Sequence, residues 1–134
     1  MIVPGFAISG GGAADCDSAD PACVQQRVAA LRTLTGDRQH AWVAQAEPLR
    51  GYSNGTRLFA YRITRSKLSC DNLARGLGEL RQVRTAYAGA VPGLSPASLK
   101  RTRRLVVEVH GELAAERHRR CRTVGGVRGA AALT

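Results

Sequence analysis

Aromatic side chains are scarce in this 134-residue chain: Phe6, Trp42, Tyr52, Phe59, Tyr61 and Tyr87 are the whole supply, beside a single methionine. A core drawn from aromatic and β-branched residues is therefore poorly provided for. Leu, Val and Ala must do most of the packing, which suits helices better than sheets. Acidic residues are also short, ten against twenty basic ones, so the formal charge is +10. Eighteen of those twenty are Arg. Such a charge attracts nucleic acid, anionic lipid or an acidic protein without choosing among them, and in an Ala- and Gly-rich chain the Arg skew also fits a GC-rich genome. No apolar run approaches the roughly 20 residues of a membrane-spanning helix, which argues against a spanning protein.

The first fourteen residues, MIVPGFAISGGGAA, run apolar into small residues and then meet DCDSADPAC. This resembles the end of a signal peptide's apolar region followed by a small-residue cleavage site, although a charged start is missing. The expected organisation is a leader-like or disordered segment over 1–14, one helical domain over 15–122 and a flexible tail over 123–134, with the product periplasmic or secreted.

Asp20 ahead of Pro21 is a helix start, a capping side chain followed by proline at the first helical position. Val24, Val28, Leu31 and Leu34 then recur at helical spacing, predicting an amphipathic helix that ends near Gly36. Asp37 can cap a short second helix carrying Trp42, Val43 and Ala46 that stops before Pro48. LRGYSNGT is the clearest turn, and Asn54-Gly55-Thr56, although a glycosylation sequon, reads as part of it. TRLFAYRIT is ambiguous: Phe59, Tyr61 and Ile63 alternate as in a strand, while Leu58, Tyr61, Arg65 and Leu68 repeat as in a helix. No partner strand is evident elsewhere, so helix is preferred. Ser69 or Asp71 can cap a further helix striped by Leu73, Leu77, Leu80, Arg84 and Tyr87. Ser95-Pro96 repeats the start signal, and Leu99, Val106, Val109 and Leu113 supply the last helix's buried face. The fold class implied is all-α, a small up-and-down bundle stapled by two disulfides.

Cys16, Cys23, Cys70 and Cys121 are even in number and follow a leader-like start, which favours two disulfides over free thiols. The preferred pairing is Cys16 with Cys23 and Cys70 with Cys121. In an unstaggered hairpin, however, Cys70 and Cys121 would lie about 27 and 37 Å from its closed end, so the alternative pairing of Cys23 with Cys70 and Cys16 with Cys121 stays open. Cys121 sits within RHRRCR beside His118, and His110 lies two turns earlier, but only one close ligand pair is present among repelling arginines, so no metal site is assigned. Asp15, Asp17 and Asp20 lack the Gly and Glu of a calcium loop and read as helix-start carboxylates.

Basic clusters flank the last helix, with Lys100, Arg101, Arg103 and Arg104 at one end and Arg117, Arg119, Arg120 and Arg122 at the other. Glu108 and Glu116 stand four residues from Arg104 and Arg120, the spacing of ordinary solvated-face pairs. Arg101, Arg103, Arg104, Arg117, Arg119 and Arg120 are the candidate contacts to an anion or partner. Ser9 in ISGGG and Ser53 in YSNG match no nucleophile signature, and the glutamates among arginines should stay ionised. His40 and Trp42 read as packing residues. The expectation is a non-catalytic, cofactor-free binding or structural module that recognises an acidic protein or anionic surface. A cytosolic nucleic-acid-binding or regulatory protein with reduced thiols is the alternative.

Overall fold

The start signals written in the sequence are used where they stand. In the computed structural model, which describes the backbone of residues 18–132 and the side chains of residues 18–121, helix α1 spans Pro21–Gly36. Asp20 caps it by accepting from Ala22 N at 3.2 Å. Asp37 accepts from Gln39 N and Ala41 N and leads into a single 3-10 turn, Ala41–Ala44, shorter than the helix expected there. A second 3-10 turn covers Leu49–Asn54 and ends at Gly55, whose φ of 81° suits glycine. Helices α2 (Thr56–Thr64), α3 (Cys70–Ala86) and α4 (Pro96–Ala132) complete the fold. Ser69, not Asp71, caps α3 through Asn72 N, and Ser95 receives Ser98 N ahead of α4. Among the described residues there is no strand, and no helix is long and apolar enough to cross a membrane.

α3 and α4 form an antiparallel pair, α2 lies against α4, and α1 covers α2. The core is continuous across these layers and holds Leu58, Tyr61, Leu68, Leu73, Leu77, Leu80, Tyr87, Val106, Val109 and Leu113. In α2 the helical stripe won over the alternating one: Leu58 and Tyr61 are fully buried, while Phe59 and Ile63 are exposed. Three expected inward positions point elsewhere. Val24 and Val28 of α1 stand exposed because this outermost helix meets the core mainly through Leu31 and Leu34, and on α3 the buried position is Val83 rather than Arg84.

The Cys70–Cys121 disulfide is formed, with Cα atoms 5.8 Å apart. The length objection is met by stagger. Arg103 Nε donates to the Tyr87 carbonyl at 2.8 Å, so the end of α3 lies level with the third turn of α4. From that level, Cys70 is seventeen residues away and Cys121 eighteen, about 26 and 27 Å at 1.5 Å per residue. The first turns of α4 overshoot α3 and pack on the Leu49–Asn54 turn. Among the described residues this is the one disulfide; the expected pairing of Cys16 with Cys23 involves a residue that lies outside them, and the alternative pairing of Cys23 with Cys70 is excluded. The 1–14 leader also lies outside the described residues. The stretch from Thr123, expected to fray, continues the α4 backbone to Ala132.

Candidate functional site

Two polar assemblies stand out, one inside the fold and one at its surface. The inner one centres on Glu79 of α3. Its carboxylate accepts from Arg57 Nε at 2.6 Å and Nη2 at 3.0 Å, from Tyr61 OH at 2.6 Å, and from Tyr52 OH. Arg57 Nη2 also reaches the Gln45 carbonyl at 2.8 Å, and the guanidinium lies over the rings of Trp42 and Tyr61 at 5.3 and 5.8 Å. Trp42 and Tyr61 meet edge to face. Burial is the main cause that raises both tyrosine hydroxyls' pKa values, with the Glu79 carboxylate adding to it, so Tyr52 and Tyr61 stay protonated donors. Glu47, desolvated nearby, has its carboxyl raised above the usual range, partly offset by Arg57. Every oxygen of Glu79 is thus engaged by the protein itself. The assembly ties α2, α3 and both 3-10 turns together and leaves no lone pair aimed at a substrate.

The arginines singled out on α4 divide into two groups. Arg103 caps α3 at Tyr87 O, and Arg120 Nη2 caps the end of α2 by donating to Arg65 O at 3.0 Å and Leu68 O at 2.7 Å. Buried Glu116 accepts from both Arg119 and Arg120 at 2.5 Å, and Arg119, then Arg120, hold its carboxyl below the usual range. Arg101, Arg104 and Arg117 are exposed, Arg101 reaching Ser98 Oγ at 3.3 Å. Glu116 pairs with Arg120 as its spacing suggested, but Glu108 does not pair with Arg104 and instead shares a partner with Glu112. Both turn to Arg62 of α2, at 3.3 and 2.7 Å, because α2 lies alongside and brings its own arginine within reach.

The surface assembly is a groove of about 450 Å³ between the start of α1, the Leu49–Asn54 turn, α2 and the overshooting turns of α4. Phe59, Leu105 and Tyr52 give it apolar walls, and Arg27, Arg101 and Arg104 give it a basic rim. Thr102, only 2% exposed, borders the groove, and its Oγ1 is closed to solvent and has no hydrogen-bond partner. Trp42 Nε1, Thr56 Oγ1 and His110 Nε2 are likewise buried without one. Burial, then Arg81 and Arg84, lower the His110 pKa and keep the ring neutral. Among the described residues no group of His, Cys, Asp and Glu is placed to hold a metal.

Sequence reasoning located Arg101 and Arg104 but not the groove, and it passed over Arg57, Glu79 and Thr102. A carboxylate inside the α3 leucine stripe, between Leu77 and Leu80, was the available signal for a buried partner. No signal marked Thr102, since a threonine flanked by arginines is unremarkable until the helix is packed. No protein-family model, curated protein or solved structure matches this chain.

Proposed function

We propose that this protein is a non-catalytic binding module, exported to the periplasm or beyond, whose basic surface on α4 recognises an acidic protein. The observation that carries the reading is the division of charge. The glutamates of α3 and α4 each accept from an arginine of the fold, while Lys100, Arg104 and Arg117 stand exposed along α4. A complementary acidic surface would gain rate and register from this pattern. The Cys70–Cys121 bridge supports export, because such bonds persist in oxidising compartments. Cys16 pairing with Cys23 as a second bridge belongs to the same reading.

The test has two arms. Intact mass of protein from its native source, non-reduced and alkylated, is expected to give a chain starting near Asp15 with no alkylated cysteine. Binding to a polyglutamate peptide, duplex DNA and anionic vesicles is then compared at low and physiological salt. Preference for the peptide, weakened by R101Q/R104Q/R117Q, supports the proposal. Four alkylated thiols together with tighter binding to DNA overturn it in favour of a cytosolic nucleic-acid binder, whose affinity would fall steeply with salt.

A further inference from the structure

We propose that the groove beside α2 is a docking site for the chain's own amino-terminal stretch, the uncharged residues Ile2–Ile8, which folds back over it and covers the arginines of its rim. The described chain begins on this groove. Ser18 and Ala19 line it, and Ser18 is held from two sides: Arg27 Nη1 donates to its carbonyl at 2.7 Å, and its Oγ accepts from Asp20 N at 3.2 Å. The residues before Ser18 therefore set out from the edge of the concavity that Tyr52, Phe59 and Leu105 wall. Phe59 keeps 38% of its surface exposed there, with the Arg62 guanidinium 5.7 Å from its ring. Exposed aromatic surface in a concave setting gains from an apolar occupant.

The amino-terminal sequence matches the groove in order as well as in composition. Going back from Ser18, Asp17 and Asp15 come first, next to a rim that carries Arg27, Arg101 and Arg104. Glu108 also stands on the lining, but it is tied to Arg62 at 3.3 Å, and three arginines keep the rim positive. Gly10, Gly11 and Gly12 follow and admit a reversal of the chain at little steric cost. Ile8, Phe6, Val3 and Ile2 come last, and residues 1–14 hold no charged side chain. Phe6 stands twelve residues before Ser18, a reach of roughly 40 Å when extended, so length does not limit the contact. A groove of about 450 Å³ takes a few side chains rather than a folded partner. Among short peptides, one on a tether has the advantage, because linkage gives it an effective concentration in about the millimolar range. What the cover does rests on the acidic-protein reading: the docked stretch holds Asp15 and Asp17 against Arg101 and Arg104, and removal of residues 1–14 on export takes away its apolar anchor.

The sample is the full-length chain labelled at its Ile, Leu and Val methyls and its Phe rings. NOEs from Phe6 and Ile8 to Phe59 and Leu105, unchanged on dilution, are expected. F6S/I8S should abolish them and shift the amides of residues 54–59 and 101–108. Phe59→Ser, at a position outside the core, should release the stretch in the same way with little change in melting temperature. Absence of these NOEs in the wild type overturns the proposal, as do NOEs that fade on dilution, which would place the stretch of a second copy in the groove. Polyglutamate then reports on the cover. F6S/I8S should bind it about tenfold more tightly than the wild-type full chain, the ratio expected when the open form is about a tenth of the population. Equal binding by the two chains overturns the cover. If neither chain binds polyglutamate while the NOEs are present, the acidic-protein reading falls and the docking stands, so the two failures are told apart.

Discussion

Arg57 grips Glu79 through two nitrogens, Nε at 2.6 Å and Nη2 at 3.0 Å, and both side chains are largely withdrawn from water at 6% and 17% exposure. Such a pair does not by itself argue for high stability, because desolvating two charges offsets much of their attraction. Removing one partner is another matter.

Glu79→Ala would strand the Arg57 guanidinium and the hydroxyls of Tyr52 and Tyr61 in the core. The expected loss is about 3–5 kcal/mol, read as a lower urea midpoint. Tyr52→Phe removes one donor of a satisfied cluster and should cost about 1 kcal/mol. Equal losses for the two variants would contradict the central role of the carboxylate.

The Cys70–Cys121 bridge closes a loop with a sequence separation of 51. Chain entropy alone assigns it about 4 kcal/mol, a large share of a modest domain's net stability of about 5–15 kcal/mol. The double variant C70S/C121S should therefore melt far below the wild type or show only molten packing by near-UV dichroism. Unchanged melting would show that the stagger imposed by Arg103 and Tyr87 already holds the hairpin.

Gly76 faces the core of α3, where an added Cβ would sit 2.8 Å from Tyr61 Cε1 and 3.2 Å from a Leu113 methyl. Alanine is ordinarily the better helix former, by about 1 kcal/mol. Here overpacking should win, and Gly76→Ala is expected to lower stability by about 1–3 kcal/mol. A gain in stability would mean that α2 can move away from α3 without cost.

Glu47 carries a folded-state carboxyl raised above its usual 4.5, chiefly by burial. The native state then binds this proton more tightly than the unfolded chain does. Its contribution to stability falls as pH rises from about 4.5 through the raised value. Glu47→Gln should accordingly stabilise the fold near neutrality, with an advantage that shrinks toward about pH 5, and urea melts of both proteins at the two pH values check the sign. A variant less stable than the wild type at neutrality would show that attraction to Arg57 outweighs desolvation.

The helix starts were legible because capping is local: Asp20-Pro21, Ser69 and Ser95-Pro96 each place a side-chain acceptor within three residues of the amide it serves. The helical reading of residues 57–64 was legible for a similar reason, since Leu58 and Tyr61 share one helix face without reference to any partner. The surface of α1 was not legible. Its valines repeat at the spacing of a buried face, but burial depends on what lies opposite, and the core there is already closed by α2.

Composition and short-range spacing by themselves determined that this chain is helical, where its helices begin, and that an excess of arginine must face outward. Which arginine does what was decided only by tertiary structure. Arg57, Arg103 and Arg120 find carboxylate or carbonyl partners 22, 16 and 55 residues away, at distances that exist only after the helices have packed. The same packing set the stagger that brings Cys70 to Cys121 and left the first turns of α4 projecting past α3, which shapes the groove. Capping needs one turn of chain, whereas charge pairing and concavity need the relative placement of several helices.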